Sequence, residues 1–301
     1  MTNKTQGINL INPGGWYSMV VDRFICSIAP HVGDEWARLP APVSNRFNVH
    51  FFRELGTQLK TRRQFCDMYI AHGWFQKMFS TYLTQILQFQ YVGVPGPMVR
   101  DFLLARGVKP EKLITVGHPG MDSVINGQER NPIVSDKPII VAAFSHSDFR
   151  DAWDNRREEL LGNLAEDFHV ETVIHPAYGY QLSRDIIQGA AVVLSDISGT
   201  ILEAWTFGVP VVFPAWGVCD RFLRDAGGTP LGRVYEESIG YHVHDRAKWE
   251  STIRQAAEEG ITQAEIDYVN AYFPIELRGH SGEAAARGIL AAYEAGGRWS
   301  E

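Results

Sequence analysis

The stretch from Val192 to Phe213 constrains the fold more than any other part of this chain. An apolar run, Val192-Val193-Leu194, empties into Ser195-Asp196-Ile197-Ser198-Gly199-Thr200, and Ile201-Leu202-Glu203 opens a helical pattern there. Phe207-Gly208-Val209-Pro210 then leads into a second apolar run that ends at Phe213. Strand, short helix and strand in that order predict two parallel strands joined by a crossover. The Ser/Gly/Thr turn gathers backbone N–H groups, small hydroxyls and the positive end of a helix at one spot, a combination suited to a phosphate or diphosphate.

The same alternation runs along almost the whole chain, which predicts an α/β class with parallel sheets. Strands are expected at Ile8–Ile11, Phe47–Phe52, Met68–Ala71 and Leu113–Val116, then at Ile139–Phe144, Val170–Ile174, Val192–Leu194 and Val209–Phe213. Between Asp122 and Pro138 the sequence is polar, carries two turn signals and keeps neither period. A boundary there divides the 301 residues into domains 1–130 and 131–301, each within the usual size of a domain. Each half has its own strand–helix series, so two doubly wound, Rossmann-like domains are expected to face each other across a cleft. Their ligands would lie at the carboxyl ends of the strands. Ser281–Ala295 is alanine-rich and amphipathic and is expected to close the second domain as a final helix.

Composition narrows the function classes. A hydrophobic content of 45% with 21% charged residues is ordinary for a globular protein. The net charge of −7 does not indicate nucleic acid as a partner, although a local basic groove is compatible with it. Cys26, Cys66 and Cys219 are odd in number and far apart, without metal-ligand spacing, which fits a reduced, cytoplasmic setting. No run approaches the ~20 apolar residues of a membrane span, and residues 1–12 read as a first strand rather than a secretory signal.

Several strand ends carry groups suited to chemistry. Ile70-Ala71-His72-Gly73-Trp74-Phe75-Gln76-Lys77 places an imidazole where a strand gives way to a helix. Gly73 permits close backbone approach, and Lys77 lies about one turn on, so that His72 and Lys77 can converge on an anion or an acceptor. His72 suits a general base because imidazole titrates near neutrality, the alternative being a packed strand-end histidine. His175-Pro176 follows another apolar run, one strand–helix unit before the Ser-rich turn, and the expectation is that neighbouring strands bring both to one rim. There His175 would donate a hydrogen bond to a donor phosphate or protonate a leaving group.

Within the turn, Ser198, Gly199 and Thr200 are the phosphate-cradling candidates, although N-capping of the helix uses the same groups. Glu203 either complements the helix dipole or holds ribose hydroxyls. Ser145 and His146 supply small polar groups after the strand at Ile139, and Gly14 and Gly15 allow a ligand close to the backbone after the first strand. Gly117-His118-Pro119-Gly120-Met121-Asp122 reads as a tight structural turn. His242-x-His244 reads as a surface or interdomain contact, and no cluster predicts a metal site. The Gly-x-Ser-x-Gly elbow, the Gly-x-x-x-x-Gly-Lys-Ser/Thr loop and the Gly-x-Gly-x-x-Gly fingerprint are all missing from the sequence, which argues against serine-hydrolase, kinase-like and dehydrogenase readings.

Taken in order, these segments resemble the CDP-glycerol glycerophosphotransferase family, the teichoic acid polymerases and primases of GT-B fold. His72-Gly73-Trp74-Phe75-Gln76-Lys77 is similar to that family's His-Gly-x-x-x-Lys signature, and Lys112 to Asp122 is similar to its helix leading to Gly-x-Pro-x-x-Asp. His175-Pro176 matches its His-Pro, and Ser195-Asp196-Ile197-Ser198-Gly199 resembles its Thr/Ser-Asp-Tyr-Ser-Ser. Gly279-His280-Ser281-Gly282-Glu283-Ala284 is similar to the small-residue stretch before its last helix. The likeness spans residues 67–292. Ile197 stands where the family has an aromatic, Gly199 where it has a second Ser, and Trp74-Phe75-Gln76 where Thr-Pro-Leu is common.

The resemblance implies a GT-B-like fold with the nucleotide donor on the second domain and the acceptor on the first. It implies His72 as catalytic base or acceptor-side group, His175 as a donor-phosphate ligand, and Ser198 with its neighbours as the diphosphate cradle. The transferred group would be glycerophosphate or glycosyl, taken from a nucleoside-diphosphate donor with no tightly bound cofactor. The acceptor would be the hydroxyl of a polyol, a glycan or a modified nucleic-acid base. A non-hydrolysing nucleotide-sugar 2-epimerase is the alternative with the same architecture.

Overall fold

The computed structural model describes residues 7–15, 18–34, 36–52, 65–71, 80–128, 133–144, 160–173, 186–196, 198–216, 224 and 226–295. The chain divides into two compact units. One comprises Met1–Gln128 with Ala271–Glu301, the other Glu129–Asn270.

The first unit is built on six strands: β1 (Ile8–Ile11), β2 (Trp36–Leu39), β3 (Phe47–His50), β4 (Met68–Ile70), β5 (Tyr91–Val94) and β6 (Leu113–Thr115). They lie in the order β2-β1-β3-β4-β5-β6 and every pair is parallel. β1, β3 and β4 are buried at every position, as expected of central parallel strands covered on both faces. The helix Ser18–Ile28 covers one face and presents Val20, Val21, Phe24, Ile25 and Ile28 to the sheet.

The second unit has five strands: β7 (Ile139–Ala143), β8 (His169–Thr172), β9 (Val192–Ser195), β10 (Val211–Pro214) and β11 (Tyr241–Val243). Their order is β11-β10-β9-β7-β8, again all parallel. In both sheets the chain starts at one strand, steps outward to one side, and then crosses back to build the other side. The order therefore reverses between β1 and β3 in the first unit and between β7 and β9 in the second. Doubly wound sheets bind ligands at such reversals, outside the carboxyl ends of the strands.

The C-terminal helix corrects the expected domain limits. Residues 131–301 were expected to form one domain, whereas 271–301 group with the first unit. The cause is a close fit between the helix Ser281–Glu294 and the helix Ser18–Ile28. Without a side chain, Gly282 brings its backbone against Ser27, where an added Cβ would overlap the Ser27 carbonyl. Asp122 completes the dock: its carboxylate accepts the N–H of Ser281 at 3.1 Å, the N–H of Gly282 at 2.6 Å and the Ser27 hydroxyl at 2.7 Å. Burial pushes this carboxyl up, while the hydrogen bonds pull it down. The turn from Gly117 to Asp122 is thus a structural one. Gly117 has φ +71°, and the N–H of His118 donates to the Ser281 hydroxyl at 3.0 Å.

Behind the turn of the second unit, Glu265 ties three elements together. One carboxylate oxygen accepts the indole N–H of Trp205 at 2.6 Å and the N–H of Val211 at 3.2 Å. The other accepts the N–H of Thr262 at 2.7 Å, and the Glu265 N–H returns to the Thr262 hydroxyl at 3.3 Å. This is a capping box at the start of the helix Gln263–Tyr272. Its Glu also anchors the helix Thr200–Thr206 through Trp205.

Candidate functional site

In the second unit β9 ends at Ser195, in register with Ala143 at the end of β7. The Ser195 hydroxyl donates to the Ala143 carbonyl at 2.9 Å, so the two strands that flank the reversal are joined at their carboxyl ends. Ser198, Gly199 and Thr200 follow after two residues, and the helix Thr200–Thr206 starts from them. The turn predicted from the sequence therefore stands at the reversal of the sheet. Ser145 and His146 follow β7, the other strand of that reversal, and lie outside the described residues.

The hydroxyls of the turn and the N–H groups of 200–203 bond within it. The Thr200 N–H reaches the Ser198 hydroxyl at 3.3 Å, and the hydroxyls of Ser198 and Thr200 hydrogen-bond at 2.9 Å. The N–H groups of Ile201, Leu202 and Glu203 reach the carbonyls of Ser198 or Gly199 at 3.1–3.4 Å. Gly199 caps the helix with helical dihedrals and no side-chain bond. A dihydroxyl turn that bonds to itself through contacts at the long end of the hydrogen-bond range is easily re-bonded by a stronger acceptor. Ser198 and Gly199 are half-buried, while Thr200 and Glu203 are each 6% exposed.

His175 lies outside the described residues, but the position of its strand corrects one expectation. β8, which precedes it, pairs with β7 and not with β9. A whole strand therefore separates it from the strand of the Ser-rich turn, roughly 10 Å across the sheet. The expectation that consecutive strands neighbour one another fails here because the winding direction reverses between them.

In the first unit Gly14 and Gly15 follow β1 at the reversal between β1 and β3. Both have positive φ, +76° and +69°, and a Cβ built on either would meet nothing within 4 Å. Glycine is thus required here by the backbone, and open space lies above it. Asn12 holds the turn: its side-chain oxygen accepts the Gly14 N–H at 2.9 Å, and its amide donates to Asp22 at 2.6 Å. Asp22 in turn pairs with the half-exposed Arg38 of β2 at 2.7 Å. The sequence offered no signal for Asp22 or Arg38, because neither belongs to a motif and only the pairing of β2 with β1 brings Arg38 there. His72, Gly73 and Lys77 follow β4 and lie outside the described residues.

Of the other histidines that the structure describes in strands, His50 and His242 are packed against aromatic rings, whereas His244, just past β11, is exposed. His50 ends β3, fully buried, with Nε2 at 2.7 Å from the Phe65 carbonyl, and burial pulls its imidazole down to about 4. His242 was expected at a surface or interdomain contact. It is half-buried and stacks on Phe213 within the second unit, ring centroids 4.5 Å apart, where burial holds it at about 4, while its companion His244 is exposed. Among the described residues no three His, Cys, Asp or Glu side chains form a group that would hold a metal ion. None of the described helices is long and apolar enough to cross a membrane.

No known protein family's profile matches this chain. No curated protein matches it either. Solved structures do. The wall teichoic acid polymerase TagF superposes with a TM-score of 0.65 at 12% identity, over 98% of this chain and 90% of that one. A TagF variant soaked with CDPG gives 0.59 at 12% identity over the same shares. S. aureus MnaA in its co-structure with UDP gives 0.53 at 12% identity, over 96% of each chain. At such identities the likeness is one of fold, and with the two parallel sheets it makes this an α/β, two-unit protein of GT-B-like architecture.

Proposed function

We propose that the protein is a GT-B-type transferase that takes a nucleoside-diphosphate-activated donor on its second unit and passes a glycerophosphate or glycosyl group to an acceptor hydroxyl. The observation that carries this reading is the Ser198-Gly199-Thr200 turn at the β7/β9 reversal, in a fold shared with TagF over 98% of the chain. In the reading, Ser198, Gly199 and Thr200 exchange their mutual bonds for the donor phosphates, Glu203 faces the ribose, and Ser145 and His146 border the same crevice. His175 offers an imidazole to the departing nucleotide. Gly14, Gly15, Gly73 and Lys77 belong to the acceptor side. There the acceptor is a polyol, a glycan or a modified base, and its hydroxyl proton passes to His72.

For a CDP-glycerol-like donor, the acceptor oxygen forms a bond to the glycerol-bearing phosphorus and the bond to the CMP oxygen breaks. The acceptor proton ends on His72 and CMP leaves. With a nucleotide sugar, the acceptor oxygen bonds to the anomeric carbon and the nucleoside diphosphate leaves. Developing negative charge on the nucleotide is met by hydrogen bonds from the turn and by His175.

The decisive experiment is a panel of CDP, UDP, GDP and dTDP in thermal-shift and calorimetric binding, followed by turnover with the matching donor and identification of the released nucleotide. CMP supports glycerophosphate transfer, and a nucleoside diphosphate supports glycosyl transfer. His72→Ala is expected to lower kcat by roughly 10²–10⁴ with donor affinity within about twofold. Equal loss of both would make His72 a binding or folding residue. The likeness to MnaA, solved with UDP, fits a second reading, a non-hydrolysing nucleotide-sugar 2-epimerase. Fast conversion of the donor without any acceptor would favour it over the transferase.

A further inference from the structure

The carboxyl end of β9 is held from within the second unit by a side chain distant in sequence, and we infer that Tyr235 is a positioning residue for the donor site. The inference rests on the reading of the 198–200 turn as that site. β9 pairs with β7 up to Ser195 and with β10 only through Val193 and Leu194. The carbonyl of Asp196 lies one residue past the last of these pairs, in a residue with no exposed surface. The Tyr235 hydroxyl donates to it at 2.7 Å across 39 residues of sequence. One residue earlier the Ser195 hydroxyl donates to Ala143 at 2.9 Å. The strand end is therefore pinned on two flanks immediately before the turn.

The strengths of the contacts favour a role for this pin. Within the turn, most backbone bonds are 3.3–3.4 Å long and confer little rigidity. The Tyr235 and Ser195 bonds are short and shielded from water. The ring that carries the hydroxyl is itself fixed, lying edge-on to Phe213 with centroids 5.5 Å apart and to His242 at 5.0 Å. Its helix, Pro230–Glu236, is capped by the Thr229 hydroxyl, which accepts the Gly232 N–H at 3.1 Å and donates to the Ala226 carbonyl at 2.6 Å. A phenyl ring would fill the same space, so the hydroxyl serves the carbonyl rather than the packing.

Tyr235→Phe in the full chain tests this, with Tyr241→Phe as a control. Tyr241 also makes a hydroxyl-to-carbonyl bond in the same unit, to Gly260 at 2.8 Å, part-buried and with a longer contact to Glu259 at 3.4 Å. Binding of CDP, UDP, GDP and dTDP is measured by calorimetry well below the melting transition, and donor KM and kcat are measured alongside. Tyr235→Phe is expected to raise the Kd of the bound nucleotide and the donor KM about five- to tenfold, with kcat at saturating donor changed less than about twofold. Tyr241→Phe is expected to lower Tm no more than Tyr235→Phe does and to leave Kd unchanged. Wild-type affinity in Tyr235→Phe, or equal weakening in both variants, would overturn the inference while leaving the donor site in place. Failure of the wild-type protein to bind any of the four nucleotides would instead remove the donor reading, and this inference with it.

Discussion

Asp122 accepts the backbone N–H of Gly282 at 2.6 Å, linking residues 160 positions apart and seating the last helix on the first unit. The same carboxylate takes the N–H of Ser281 and the hydroxyl of Ser27. Asp122→Ala would leave two N–H groups at a buried helix start without an acceptor, at a cost of about 2–4 kcal/mol. Hydrogen exchange is the direct readout: amides in 284–294 are expected to lose protection in the variant while those of β7 and β9 keep theirs. Unchanged protection of that helix would mean that side-chain packing alone seats it.

Gly14→Ala and Gly15→Ala probe the backbone without crowding, since a Cβ at either position meets nothing within 4 Å. The cost is then that of forcing an L-residue to positive φ, about 1–2 kcal/mol each. Gly14→Asn is expected to cost less, because asparagine tolerates the left-handed region. Denaturant midpoints decide it, and an alanine variant as stable as wild type would show that this turn relaxes to another conformation.

His242 makes stability depend on acid. Burial lowers its folded pKa to about 4, whereas the unfolded chain takes up a proton near 6.5. The unfolded state therefore binds more protons between these values. Stability is full above pH 6.5 and falls as the pH drops towards 4, by up to ~3 kcal/mol from this residue. His50 acts in the same direction in the first unit. Asp67 opposes it there: burial raises its carboxyl to about 6, and the folded state then holds the extra proton between about 4 and 6. His242→Phe, which keeps an aromatic ring on Phe213, is expected to flatten the acid limb of the second unit's unfolding curve, measured by denaturation at pH 4.5 and pH 7. An unaltered pH slope would contradict the neutral state of this half-buried ring.

The sequence carried the alternation of strand and helix, the class and the turn at Ser198, because apolar runs and Ser/Gly/Thr junctions are local signals. β1 was legible to the residue, and most other strands to within one or two. β5 was not, since Gly93 and Pro95 break the pattern of Tyr91–Val94. In the fold that glycine is a spacer, as a Cβ there would meet Ile70 at 2.9 Å and Val116 at 3.0 Å. β2 escaped notice as an edge strand whose Trp36-Ala37-Arg38-Leu39 is only half-covered. Strand order was beyond local reading altogether: nothing in Val170–Thr172 says that β7 will stand between it and β9. The placement of the last helix was equally hidden, because its fit depends on Ser27 and Asp122, far away along the chain. Of the candidate site, the Gly14-Gly15 and 198–200 turns were legible as turns from composition, whereas Arg38 and Tyr235 arrive only through tertiary pairing.

The division into 1–128 with 271–301 and 129–270 also sets an order of assembly during synthesis. The intervening segment has its whole five-stranded sheet translated before the ribosome reaches the residues that Asp122 must grip. The six-stranded body has to wait, its Ser18–Ile28 helix lacking the Ala/Gly partner until residues past 281 have emerged. Nascent chains stalled before that point should therefore carry a finished second unit and an incomplete first one, exposing apolar surface that invites chaperones.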